Sequence, residues 1–325
     1  MTNRRQFLKQ SAAIAGGGAL ALSASCTPGS KTEQASHLDR LGVNLFSIPK
    51  LLEKDFAATM QMLSKIGYKE IEFFGPYEFS PEEEIKGWSA VTPSLGFSGS
   101  GFFGLDLKTV KSILDDNGLS TPSMHSGLLT LKSSMRQLAD TANTLGASYV
   151  ILPSAQTQPD LDGYKKQADE FNTIGESAKQ NGVKFAYHNH GNGLKDMDGT
   201  VPFDLIAKNT GDNLVFFQMD IYWMTAGGVD IVQYLEQYKG RFKLMHVKDM
   251  AKSVRFSGDG GDPAQWIELF PHLENAGSGV IDLKTIIPKA FETGVEHFIV
   301  ERDIAPDPEN DLSKSYTFLT SLELS

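Results

Sequence analysis

Val183-Lys184-Phe185-Ala186-Tyr187-His188-Asn189-His190 begins directly after Gly182 and, apart from Lys184, stays apolar until it closes on two imidazoles around an amide. A run that short, apolar without sustained alternation and punctuated by glycine, reads as a strand buried on both faces. Working outward from it, seven further runs have the same form, at 41–48, 68–74, 120–125, 148–153, 214–220, 242–247 and 297–301. Between them lie amphipathic patterns such as Phe56-Met60-Leu63-Ile66, Met135-Leu138-Ala142-Leu145 and Ile231-Tyr234-Leu235-Tyr238, whose three- and four-residue spacing predicts helices. Gly67, Gly118, Gly146, Gly182 and Gly240 stand where those helices should stop. Eight strand-then-helix units in about 290 residues predict an α/β fold, a closed (β/α)8 TIM barrel rather than an open sheet. A doubly wound sheet would need a glycine-rich phosphate turn opening a helix, and neither Gly16-Gly17-Gly18 nor 258–261 has that setting. Two long connections, 78–104 and 251–279, are expected to be loops over the C-terminal mouth, acting as lids or substrate loops.

The chain has 325 residues, with Lys+Arg 30 against Asp+Glu 40, and 40% of it is hydrophobic, enough for a full core. Asn3-Arg4-Arg5-Gln6-Phe7-Leu8-Lys9 resembles a twin-arginine export signal, and the uncharged stretch 11–25 after it is too short to span a bilayer. Leu22-Ser23-Ala24-Ser25-Cys26 resembles a lipobox, with Ser23 where leucine is usual, so a lipid anchor on Cys26 is one expectation and plain cleavage after small residues the other. Residues 1–25 are therefore read as a signal, 26–38 as a flexible tether and 39–325 as one catalytic barrel, exported to the periplasm or anchored to a bacterial membrane. Removing residues 1–25, which carry three basic groups and no acid, takes the net charge from −10 to −13. Such a surface repels phosphate backbones, and nucleic acid is not an expected partner. One cysteine excludes an internal disulfide and a cysteine-based zinc module.

The polar residues at the strand ends carry the chemistry. Glu72, His125, His188-Asn189-His190, Asp220, His246 and Glu301 close six different runs. Ionisable groups are costly inside an apolar sheet, so their convergence on one barrel mouth predicts a shared site, and imidazole with carboxylate is a ligand set for one divalent cation such as Mn, Co, Zn or Mg. Taken singly, each histidine reads as a capped or solvent-facing residue, and Lys248-Asp249 as a surface ion pair.

The same residues resemble a family, the xylose isomerase-like TIM barrels that include sugar isomerases and epimerases, over about residues 39–323. The markers are Glu70-Ile71-Glu72, His188-Asn189-His190, Met219-Asp220-Ile221-Tyr222-Trp223, His246-Val247-Lys248-Asp249, Gly277-Ser278-Gly279-Val280-Ile281-Asp282 and Val300-Glu301-Arg302. The resemblance implies a cation held by Asp220, His246 and Glu301, with His188 where the family commonly has glutamate. That exchange removes one of the two glutamates through which family epimerases invert a carbon, and leaves proton abstraction α to a carbonyl. Export favours an unphosphorylated sugar, and the family includes lyases of 3-keto-glycosides. The expected activity is thus β-elimination from a 3-keto-glycoside, with isomerisation or epimerisation of an unphosphorylated ketose as the alternative. Glu301, His125, Glu72 and Lys248 are the expected proton-transfer groups. His190 and Asn189 are expected on sugar hydroxyls, and Trp223, Phe46 and Phe74 against its apolar faces or, equally, in the core. Two other readings stand further off: a DNA-repair endonuclease, which needs more zinc ligands than seven histidines readily supply, and a sugar-binding lipoprotein without turnover. The sequence leaves the oligomeric state open.

Overall fold

A computed structural model describes residues 37–324. The expected signal and Cys26 lie outside these residues, whereas the last positions of the expected tether already belong to the fold, since His37–Arg40 form a 3-10 turn and Leu38 is buried. Eight parallel strands close into a barrel. Numbered around it they are β1 (Gly42–Asn44), β2 (Glu70–Phe74), β3 (Ser123–His125), β4 (Tyr149–Leu152), β5 (Lys184–His188), β6 (Val215–Asp220), β7 (Phe242–Val247) and β8 (His297–Val300), with β8 pairing back onto β1. Each lies inside its expected run; the runs are longer because apolar residues flanking a strand also pack under the helices.

Side chains alternate along a strand, so every second residue faces the barrel interior. Tyr149, Ile151, Ala186, Leu244 and Ile299 fill its middle with an apolar cluster. The intervening residues, among them Val43, Ile71, Phe73, Met219, Met245 and Phe298, face outward into the larger core beneath the helices. Above the apolar plug the inward series continues with polar residues, and register sets Asn44 beside Glu72, His188 beside Gln218 and Asp220 beside His246. The hydrophobic layer below thus supports a polar layer at the C-terminal mouth.

The helices end where glycine permits a backbone that other residues rarely adopt: Gly67 (φ 124) and Gly146 (φ 81) are the C-caps of Phe56–Ile66 and Met135–Leu145. The first connection lies over the site as expected, lining the space above its polar residues, but the two connections are not plain loops. The first connection contains the helix Glu82–Leu95, whose first turn is acidic through Glu82, Glu83 and Glu84 and so complements the helix dipole. The second contains the helix Pro263–Leu269, a 3-10 turn and the strand Leu273–Glu274, which pairs antiparallel with Asp249–Met250 just ahead of the connection. Neither helix is legible in the sequence, because the first buries only Thr92 and the second packs in a small cluster of its own away from the main core.

Candidate metal centre and substrate cavity

Glu72 lies at the centre of the polar layer, fully buried. Its Oε1 accepts from Asn44 Nδ2 (2.8 Å), and its Oε2 from Ser123 Oγ (2.5 Å) and Gln218 Nε2 (2.8 Å). His246 Nε2 also donates to Oε1, and His125 Nε2 stands 3.1 Å from it. Burial alone would raise this carboxyl, but His125 and His246 outweigh it and hold it well below the usual carboxylate range. A carboxylate with both oxygens so engaged is an anchor, and Glu72 does not line the cavity above. Its expected role as a proton shuttle is replaced by that of a fixed anion.

The hydrogen bonds determine the tautomers around it. A carboxylate only accepts, so Gln218 presents its amino group to Glu72 and its Oε1 must receive from His125 Nε2 (2.7 Å) and His188 Nδ1 (2.9 Å). His188 therefore carries its proton on Nδ1, burial keeps it neutral by pushing its pKa well below the ordinary value, and Nε2 offers a lone pair. That Nε2 is buried without a hydrogen-bond partner. It faces Asp220 Oδ2 at 3.6 Å, another buried atom with no hydrogen bond, although Lys248 Nζ lies 3.1 Å from it. Asp220 is held by its other oxygen, which caps the helix Ile221–Ala226 by accepting from Tyr222 N (2.9 Å) and Trp223 N (3.0 Å).

His246 completes the set. With Nε2 on Glu72, its Nδ1 lies 3.9 Å from Asp220 Oδ2 and 2.7 Å from Glu301 Oε2. Ligands about 2.0–2.2 Å from a tetrahedral cation lie about 3.5 Å apart, the scale of the His188–Asp220 and His246–Asp220 separations. Asp220, His246 and Glu301 bring donor atoms within 4.8 Å of one another, an overlapping group is formed by His125, His188 and His246, and His188 Nε2 reaches Asp220 across the two, so the cluster fits a divalent cation with Glu72 and Gln218 orienting imidazoles from behind. Burial opposes charge on His246, yet Glu301 and Glu72 outweigh it and raise its pKa to about 10.

Lys248 is buried, not a surface ion pair. Its ammonium reaches Glu301 Oε2 (2.6 Å), Asp303 Oδ2 (2.7 Å) and Asp220 Oδ2, and lies 5.5 Å from the Trp223 ring centroid. Desolvation lowers its pKa but the three carboxylates prevail and push it well above the ordinary lysine value, so it serves as a fixed counter-charge where a proton shuttle was expected. Lys248 and His246 in turn overcome the effect of burial on Glu301 and hold that carboxyl low. Burial, aided by the charge of Glu301, raises Asp303 to about 6.

A cavity of about 370 Å³ opens over this layer. His125, His188, His190, Glu301 and Asp303 form its polar side; Phe46, Phe74 and Trp88 form an aromatic side. His190 Nδ1 has no partner, and burial lowers its pKa to about 3. Two expected substrate contacts lie elsewhere. Asn189 is buried beneath a turn, donating from Nδ2 to Asn192 O and accepting from Gly191 N. Trp223 packs at the back of the site against Tyr222, Phe256 and Phe270. The network also includes residues that the sequence did not single out. Gln218 could have been found from period two, lying one inward position before Asp220; Asn44 closes β1 at an inward position, and Asp303 lies two residues after Glu301, just beyond β8.

Residues 60–322 match the family model for the xylose isomerase-like TIM barrel, and the chain belongs to that family. It is 28% identical over 182 residues to inosose dehydratase of Clostridium perfringens, a match covering 48% of this chain and 61% of that protein. A solved sugar phosphate isomerase/epimerase from Parabacteroides distasonis superposes with a TM-score of 0.69 at 25% identity, covering 90% of this chain and 96% of that one. The IOLI protein, solved with a bound zinc atom, shares the fold at a TM-score of 0.60 and 16% identity, covering 86% and 96% of the two chains.

Proposed function

We propose that the protein is a cation-dependent lyase that eliminates a β-substituent from a cyclic keto-sugar, in the best case the aglycone of a 3-keto-glycoside, acting outside the cytoplasm as its N-terminal sequence suggests. One observation carries the choice of elimination over inversion. The carboxylates lining the cavity among the described residues are Glu84, Glu301 and Asp303. Glu84 is occupied by Leu129 N (2.8 Å) and Thr130, while Glu301 and Asp303 lie together at the end of β8. A pair of carboxylates on opposite faces of a sugar ring, as inversion at one carbon requires, is not provided by that arrangement. The dehydratase relatives, whose name implies loss of water, support the same class of reaction.

His188, Asp220, His246 and Glu301 would hold the cation, which supplies Lewis acidity for a ketone and its neighbouring hydroxyl. The chain's own groups account for the rest. A base on the β8 side, Glu301 or Asp303, takes the proton from C2. The C2–H electron pair becomes the C1=C2 bond, the C1–O bond breaks with its electrons, and the aglycone oxygen regains a proton, so that substrate becomes enone and alcohol without water or redox change. Asp303, raised to about 6, can exist in both protonation forms near neutral pH. His190 lines the cavity and is kept neutral by burial, so it can meet a ring hydroxyl as a neutral imidazole.

Proton NMR in D2O with Mn- or Co-loaded protein tests this on a 3-keto-glucoside beside a free ketose. Release of the aglycone with a new enone is expected. Deuterium uptake into a rearranged ketose with no leaving group would make the enzyme an isomerase, and inert mixtures in both tubes would remove the catalytic reading. His188→Ala and Asp220→Ala are expected to lose retained metal by elemental analysis while keeping the barrel's circular dichroism.

A further inference from the structure

The helix Glu82–Leu95 is unusual in this molecule because only Thr92 of its fourteen residues is buried. A helix generally owes its stability to an apolar face packed on something. Here Glu84, Gly87, Trp88 and Val91, spaced i, i+3, i+4 and i+7, form one stripe, and all four line the cavity over the metal centre. Trp88 is fixed in place by its Nε1 donating to Ser98 O (2.8 Å) and by rings at 5.9 Å (Phe74) and 5.7 Å (Phe97). Phe46 meets Phe74 edge-on at 5.3 Å, extending the wall down to the polar floor. Gly87 sits between Glu84 and Trp88 on the stripe. It has no positive φ, and a Cβ built there would meet nothing within 4 Å, so neither backbone nor packing requires glycine. In a helix interior it costs about 1 kcal/mol relative to alanine. What it leaves is an open, solvent-exposed slot beside the indole at the rim of the cavity.

We infer that the open rim at Gly87 beside the Trp88 ring, continuous with the aromatic wall of Phe46 and Phe74, is the leaving-group subsite, and that it takes a flat apolar ring: the preferred substrates are aryl or arylmethyl glycosides. The inference rests on the keto-glycoside reading of the same cavity. The geometry suits a ring more than a chain, because Phe46, Phe74 and Trp88 present rigid faces and edges at large mutual angles, between which a planar group can stack edge-on and face-on at once. The cavity volume, about 370 Å³, falls in the range of about 300–1,000 Å³ typical of pockets that enclose drug-sized ligands, larger than a single sugar ring needs.

The test measures binding rather than turnover, so it holds even if the reaction has been misassigned. Methyl, hexyl and benzyl β-glucosides, unoxidised and therefore inert to elimination, are titrated into the full chain, following tryptophan fluorescence and saturation-transfer NMR. Benzyl glucoside should bind at least about tenfold more tightly than methyl, as burial of one phenyl group implies, with hexyl between them. Saturation transfer should be strongest at the phenyl protons. Gly87→Leu fills the slot without touching the core and should raise the melting temperature while cutting the benzyl preference about tenfold or more; Trp88→Ala should lose the preference too. Equal affinity for methyl and benzyl, hexyl binding as tightly as benzyl, or a benzyl preference that survives Gly87→Leu would overturn the subsite. If benzyl glucoside binds as expected but 3-keto-glucosides are not cleaved, the subsite stands and the reaction assignment fails.

Discussion

Gln218 carries no charge, yet it determines what the two charged halves of the site can do. Its amide cannot be reversed without pointing Nε2 at two imidazoles and Oε1 at the Glu72 carboxylate, so its orientation fixes the His188 tautomer. Gln218→Leu, similar in volume, should therefore weaken cation binding by about 10–100-fold, the usual effect of removing a group that orients a metal-binding histidine. A Co(II) titration followed by absorption checks this; unchanged affinity would mean that the histidine is held by its surroundings alone. The difference in legibility is physical. His188, Asp220, His246 and Glu301 are ionisable groups ending apolar runs, where the energetic penalty makes them conspicuous. Gln218 and Asn44 carry no such penalty once hydrogen-bonded, and amides raise no comparable signal. Asn189 misled in the opposite sense, because flanking imidazoles suggest a ligand while the turn at Gly191 uses its side chain for the backbone.

At the scale of elements, the strands were readable because a parallel barrel strand is apolar on both faces and bounded by helix-stopping glycines. Glu82–Leu95 was not, since a helix whose apolar stripe faces a ligand cavity lacks the dense periodicity of a core helix. The barrel's inward layers are the most demanding elements. Gly42 occupies an inward position of β1, where a Cβ would lie 3.1 Å from Glu70 Cβ and 3.2 Å from Ile299 Cγ1. Glu70 Cβ is rooted on the backbone of the paired strand β2, and Ile299 Cγ1 can turn away only into the filled barrel interior. Gly42→Val should destabilise the protein by about 1–3 kcal/mol, as overpacking a filled core does. The urea midpoint measures it, and an unshifted midpoint would show that the layer below the site has room to give.

For the whole molecule, the charges of the site couple metal binding, proton binding and folding. His188 and His190 have folded pKa values below the unfolded value of about 6.5, so the unfolded chain binds protons there that the folded one refuses. The His190 contribution to stability is present above about pH 6.5 and declines as pH falls toward about 3, and the His188 contribution declines in the same direction, at up to about 1.4 kcal/mol per group per pH unit. His246 has the opposite sign: raised to about 10, it stabilises fully below about pH 6.5 and loses that contribution as pH rises through its folded value. EDTA-stripped protein should accordingly be most stable near neutrality, with both limbs visible in melting temperature. Loading the cation changes one of them. His246 must give up its Nδ1 proton to become a ligand, whereas His188 is already neutral with Nε2 free, so binding should release about one proton per cation at pH 7 to 8. Calorimetry in two buffers of different ionisation enthalpy counts it. Release of none would mean that His246 does not ligate, and release of two that His188 is protonated before the cation arrives. Because a released proton makes affinity rise with pH, the stabilisation by a fixed cation concentration, about 2.7 kcal/mol at a hundredfold excess over Kd, should grow between pH 6 and 8 and flatten the alkaline limb that His246 produces in the stripped protein.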